Sequence, residues 1–400
     1  MLSSVAERVY WLGRYMERVE NSARLMDVYS NMLLDMPRGS NISWDILLDI
    51  AGMHELYAEK NTSINEVNVV RFLLADTHNP ASVFSCLKML RENARTTREV
   101  IPSEAWEQIN ELYLFTKDSI ASGIGRKSRR ELFQIMIADC QRLAGLLSGS
   151  MAHNTAYTFI QLGRLLERAD MSTRIVDVGS ISLLPAFSKL SKQLLEPYEN
   201  VVWMNILRSL SGYQAYRQNV ASRVGGEGVV RFLLQDNEFP RAVNFCLDAI
   251  NENVEQLPNH DDVQLAVERV KRITSEANVF HLLENGLLEF IDELQISIAD
   301  IHDALNMTWF RYSEVDLVTQ SSVTEPGASA KPAKIAPVTK VIKKKTPAKK
   351  IPAKKVAVRK PVKKKAPIKK VAKKVTKAKT AKKKVAKKKI VRKKAVKKSR

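Results

Sequence analysis

Tyr10 to Val28 reads YWLGRYMERVENSARLMDV, and Ile160 to Val178 reads IQLGRLLERADMSTRIVDV. Leu-Gly-Arg, Glu-Arg, an acid, Ser, Arg and Asp-Val recur between them at an offset of 150 residues, which marks an internal duplication. At about 100° per residue, Val5, Val9, Leu12, Met16, Val19, Ala23 and Met26 form one apolar stripe of a helix. Arg14, Glu17 and Arg24 cluster opposite it. The second stretch repeats both faces, with Phe159, Leu162, Leu166, Ala169 and Val176 apolar and Arg164, Glu167 and Arg174 charged. A merely solvated face has no reason to keep the same charges at the same angles twice. The pattern therefore leaves two readings: buried faces with Arg and Glu paired, or a polar site.

The duplication extends outward. VVRFLLADTHNPASVFSCL (Val69 to Leu87) returns as VVRFLLQDNEFPRAVNFCL (Val229 to Leu247) at an offset of 160, and Glu92-Asn93 meets Glu252-Asn253. Pro and Gly are scarce before residue 320 and punctuate helical patterns. The spacing predicts a first helix over about 4–34, a second over 43–59, and a third opened by a Ser63/Glu66 capping box. A fourth is expected through Arg98 with Asn79-Pro80 as cap and first residue, another from Ser103, and one after a basic loop 125–130. Gly225-Gly226-Glu227-Gly228 reads as an interhelix loop, lacking the ending of a phosphate loop. The fold class expected is all-α: a helical domain over 1–320 built from two homologous repeats, about 1–151 and 152–320, followed by a disordered basic tail over 321–400.

Charge divides the chain just as sharply. Residues 331–400 hold 33 of the 64 Lys and Arg and none of the 43 Asp and Glu, so the preceding residues carry 31 basic against 43 acidic side chains. The tail has six Pro and no aromatic residue. Its runs Lys343, Lys344 and Lys345, Lys363, Lys364 and Lys365, Lys382, Lys383 and Lys384, and Lys387, Lys388 and Lys389 are expected to bind DNA or RNA by counterion release, without base stacking or sequence readout. Such a tail also suits a nucleoid-associated protein whose body merely oligomerises. An intramolecular contact with the acidic body is a further alternative.

YWLGRYMERVENSAR, LKMLRENARTTREVIPSEAWEQINELY (Leu87 to Tyr113) and FIQLGRLLERADMSTR together resemble the bacterial Alpha-E family, a helical domain named for its Glu-Arg motif, over residues 1–315. The resemblance implies association with a circularly permuted ATP-grasp ligase-like protein and with transglutaminase-like proteins, in peptide synthesis or modification. Carried over, its motif positions are Gly13, Arg14, Glu17, Arg18, Glu20, Asn21 and Arg24, then Arg91, Glu92, Asn93 and Arg95, then Gly163, Arg164, Glu167, Arg168 and Arg174. Met171 stands where the first copy has Asn21, so the halves need not be functionally equal. The tail resembles the C-terminal arm of a linker histone.

These residues form the candidate ligand or partner face. In one reading Glu17 and Glu167 pair with arginines and fix the register of the two halves. In the other, unpaired arginines bind a carboxylate or phosphate, and the domain is an enzyme or ligand-binding module. The i,i+4 pairs Glu20-Arg24 and Asp170-Arg174 favour the first, and the Arg91 to Arg95 stretch is read either as a solvated face or as part of this one. His153 is a weak candidate base without a placed nucleophile. Six scattered His and Cys86, Cys140 and Cys246 offer no metal spacing, and no Gly-x-Ser-x-Gly elbow occurs, so no cofactor, metal or catalytic residue is assigned. The cysteines read as reduced thiols of a cytoplasmic protein, and no apolar run is long enough to span a membrane.

Overall fold

The computed structural model describes residues 1–35, 43–60, 63–178, 192–220, 223–284 and 286–311. The linker, the Lys-rich tail and its lysines at 343–389 lie outside the described residues. Every element is helical and no strand occurs among the described residues, so the fold is all-α. No helix among them is long and apolar enough to cross a membrane.

The centre is helix α1 (Ser3–Asp35) packed along α8 (Thr155–Val178), the most extensive contact in the fold. Val9, Leu12, Met16, Val19, Ala23 and Met26 are at most 1% exposed, as a core-facing stripe should be. The opposite face is buried too: Tyr10, Glu17, Glu20 and Asn21 are at most 2% exposed. α5 (Val83–Thr96) and α7 (Arg126–Ser150) flank α1, and α6 (Ser103–Gly123) packs on both. α12 (Val243–Val254) and α15 (Leu287–Leu305) flank α8 in the same way, with α13 (Asp261–Glu276) packed on both. Shorter helices complete the fold: α2 (Ile46–Ile50), α3 (His54–Ala58) and α4 (Glu66–Leu74) follow α1 in the chain, and α9 (Lys192–Ser209), α10 (Tyr213–Asn219) and α11 (Gly226–Gln235) follow α8, with α2 against α8 and α9 against α1. α14 (Val279–Glu284) precedes α15, and a π-helical turn (Asn306–Phe310) follows it.

Several boundaries differ from the sequence expectation for local reasons. The helix expected over 43–59 is two helices, because Gly52 takes a left-handed conformation (φ +64°) and Met53 N–H returns to Leu48 O, closing α2 with a C-terminal turn. The cap of α4 is Asn65, whose side chain accepts from Asn68 N–H, rather than Ser63, whose carbonyl accepts from Tyr57 OH. The cap of α5 is Ser82 rather than Asn79. Asn79 instead forms an Asx turn, accepting from Ala81 N–H while its amide donates to Phe72 O. The basic stretch expected as a loop is the first turn of α7, where Arg129 pairs with Glu66 at 2.8 Å. The glycine-rich stretch expected as a loop opens α11, and small residues suit it because Trp203 and Tyr216 press against that turn.

What sets the α1–α8 spacing is a pair of glycines. A Cβ placed on Gly13 would lie 2.2 Å from Ile160 O, and one on Gly163 would lie 2.1 Å from Tyr10 O. The obstruction is backbone on both sides, so no rotamer change relieves it. Gly13→Ala is expected to destabilise by about 1–3 kcal/mol through overpacking, despite alanine's better helix propensity. Gly145, exposed in α7 with nothing within 4 Å of its would-be Cβ, is the control. Gly145→Ala should stabilise by up to about 1 kcal/mol. Urea unfolding of the two variants beside the parent chain checks both signs.

Candidate functional site: a reciprocal Glu-Arg network

With two backbones in contact at the glycines, side chains one turn further on meet across the interface. Arg14 Nε donates to Glu167 Oε2 at 2.7 Å, and Arg18 donates to both Glu167 oxygens, Nε to Oε1 at 2.5 Å and Nη2 to Oε2 at 2.8 Å. In the opposite direction Arg168 Nε lies 2.9 Å from Glu17 Oε1 and Arg164 Nε 3.6 Å from Glu17 Oε2. Each Glu-Arg dipeptide thus gives its acid to the other helix's arginines and takes the other helix's acid in return. Both glutamates are only 1% exposed. Residue numbers rise together along the contact, so the two helices run in the same sense through it.

A profile built on such a domain matches this chain over residues 1–310, and its description is "a predicted alpha-helical domain with a conserved ER motif". The chain belongs to the Alpha-E family. Uncharacterized proteins of Mycobacterium bovis and of two Mycobacterium tuberculosis strains are similar to it, each 19% identical over 336 residues, covering 76% of this chain and 36% of the relative. The chain therefore spans about a third of the length of these relatives. No solved structure matches.

In this Alpha-E chain the network draws in residues that the motif does not contain. Arg241, just before α12, donates from Nη1 to Glu17 Oε1 at 2.6 Å and to Asn21 Oδ1 at 2.7 Å, and from Nη2 to Glu20 Oε1 at 2.9 Å. Glu20 also accepts from Arg24 and, at 3.3 Å, from Gln141. Sequence reasoning passed over Arg241 because the first copy has Ala81 at that place. The signal was the mismatch itself: an arginine after Pro240 in an otherwise apolar segment. Tyr10 was also missed as a polar group; its hydroxyl accepts from Arg14 Nη1 at 3.1 Å and lies 2.8 Å from His302 Nδ1.

The α5 candidate residues and His153 sit apart from the network, whereas Arg174 and Asp170 line one cavity with Glu167 and Arg18. Arg91 donates to Asn110 at 2.7 Å and lies over the rings of Trp106 and Tyr113. Glu92 and Arg95 pair on the exposed surface of α5, and Asn93 is at the margin of burial with its carbonyl capped by Thr97. Arg174 pairs with Asp170 on α8. His153 stacks on Tyr157 beside the end of α7. The three cysteines are buried free thiols, and burial pushes those of Cys86 and Cys246 up to about 12.

The electrostatics follow from the pairing. Burial by itself would raise the Glu17 carboxyl, but Arg241, Arg168 and Arg164 outweigh it and hold it well below the usual range. Glu167 is likewise buried, and Arg14 and Arg18 bring it down to about 2. A carboxylate depressed in the folded state contributes stability above its unfolded pKa, and that contribution is lost as pH falls through the folded value. The chain should accordingly lose stability between about pH 4.3, the ordinary Glu value, and pH 2. Glu17→Ala leaves Arg241, Arg168 and Arg164 buried without their common acid and is expected to cost about 3–5 kcal/mol near neutral pH. Calorimetry across pH 2–7 tests both points. A variant that unfolds like the parent at pH 7 would show that the network does not hold the fold together.

Proposed function

We propose that the body is a two-repeat Alpha-E scaffold that works by holding a partner, not by turning over a substrate, and that the Lys-rich tail is its address on nucleic acid. The observation that carries this reading is the state of the two motif glutamates. Each is buried, held by at least two guanidiniums and ionised far below neutrality, so neither is matched to proton transfer near pH 7. A general acid or base needs a pKa near the working pH and a path to substrate. A register lock needs neither.

The relation to longer relatives supports a role within a larger assembly, since the matched stretch is about a third of each. The family resemblance supplies the class of partner proposed here: an ATP-grasp-type or transglutaminase-type protein of peptide synthesis or modification. The tail supports polyanion association, with 33 basic side chains and no acid over 70 residues. A second reading, a ligand-binding domain, is favoured by one cavity against the network, between Ala81 and Glu167.

The test is a crosslinking pull-down from nuclease-treated native lysate, comparing the full chain with one ending at Thr319. The expected outcome is that both retain an ATP-grasp-type or transglutaminase-type protein, and that only the full chain binds duplex DNA, with affinity falling steeply with salt. Loss of every protein partner on nuclease treatment or tail removal would overturn the scaffold reading and leave a nucleic-acid-binding protein.

A further inference from the structure

The recurring helices are framed alike, but the two sides of the network are filled differently. On one side Glu17 and Glu20, with Arg24, Arg164 and Arg168 around them, receive the guanidinium of Arg241. The matching side is Glu167 and Asp170, with Arg174, Arg14 and Arg18 around them. Both frames hold two carboxylates and three guanidiniums. The position that corresponds to Arg241 is Ala81, and there the structure has a cavity of about 210 Å³ lined by Ala81, Glu167, Asp170, Met171, Arg18 and Arg174.

The cavity is therefore the place where the opposite side keeps a guanidinium. Its two acids stand where Glu17 and Glu20 stand, while Met171 replaces Asn21 and makes the wall less polar. Asp170, one methylene shorter than Glu20, leaves more depth. Met26, Leu47 and Ile50 supply an apolar flank that suits an alkyl stem. Arg18 and Arg174 keep 24% and 33% of their side-chain surface exposed, so this side of the network reaches solvent. The volume is below the roughly 300–1,000 Å³ of pockets for drug-sized ligands, which points to a group the size of one side chain.

The two sides also differ in how tightly the shared acid is held. Where Arg241 is present, Arg164 is left 3.6 Å from Glu17; where Ala81 stands in its place, Arg14 closes to 2.7 Å on Glu167. A cation entering beside Ala81 has a precedent for the adjustment it needs.

We propose that the cavity beside Ala81 binds a guanidinium group, carried by a small molecule or by an arginine side chain of a peptide, with Glu167 and Asp170 as its acceptors. The full chain is titrated with propylguanidinium and with the blocked tripeptide acetyl-Leu-Arg-Leu-amide, followed by ligand-detected NMR and by the shift in Tm. Inorganic phosphate is the anionic comparison. Saturable binding of either cationic probe supports the site, and the stronger of the two identifies the source. Ala81→Arg should fold, unfold at the same or a higher temperature, and weaken both probes by at least about tenfold, the loss of about 1.4 kcal/mol of binding. Ala81→Met, which fills the space without charge, should block the probes as well. Arg241→Ala should lower Tm and create a second site, with propylguanidinium restoring part of the loss.

Absence of binding by both cationic probes overturns the proposal. So does tighter binding of phosphate, or an Ala81→Arg chain that fails to fold or still binds the probes as the parent does. An Arg241→Ala chain that propylguanidinium does not rescue removes the precedent and overturns it too.

Discussion

The fold depends on the closeness of two backbones. At Gly13 and Gly163 each helix presents no side chain to the other, and carbonyl oxygens of Ile160 and Tyr10 occupy the space that a methyl group would need. That distance decides which side chains can meet one turn away. Arg14 and Arg18 are long enough to reach Glu167, and Arg164 and Arg168 to reach Glu17, only because the helices meet at the glycines. The seam of α1 and α8 is then neither an apolar ridge nor a wet groove. It is a buried ionic crossing enclosed by α5, α7, α12 and α15, which bring apolar side chains to the outer faces of the two central helices.

Burying that many charges is not the cheapest way to join two helices. Well-packed apolar side chains of similar volume are often as stable or more so, whereas removing one partner of a buried pair costs several kcal/mol. What an ionic crossing supplies is selection of register. Sliding α1 by one four-residue turn along α8 would bring Val9 or Glu17 to the place of Gly13 against Ile160 O and leave each glutamate with one of its two motif arginines at most. The lock tolerates one alignment and penalises its neighbours, a useful property where two helices carry nearly the same sequence and have several ways to pair.

The coarse architecture was legible in the sequence because helix periodicity is local. The apolar stripe of α1 and the stops near Pro and Gly each lie within windows of a few turns. The polar face was legible as a choice between buried pairing and an open site, but its partners were not. Its partners are 149 to 224 residues away, and nothing within a turn of Glu17 says that Arg241 will stand over it. Caps were misplaced for a related reason. Ser63 and Asn79 are good capping residues, yet a neighbour two or three positions on was equally good, and tertiary hydrogen bonds to Tyr57 and Phe72 drew the expected residues into other work. Gly52 broke a helix that periodicity alone would have continued, because a left-handed residue costs glycine little.

A Glu-Arg motif invites an acid-base reading, and the geometry argues against giving that reading to the motif itself. The Glu-Arg dipeptides shared by both recurring stretches are occupied with each other. Three positions where the stretches differ fall together in space: Asn21 against Met171, Glu20 against Asp170, and Arg241 against Ala81. Differences scattered at random between the two stretches would have no reason to collect around one buried acid. Their convergence removes a guanidinium, an amide and a methylene from the same few ångströms on one side only, and turns a filled polar junction into an opening. The asymmetry of the network, rather than the motif that names it, leaves the opening beside Glu167.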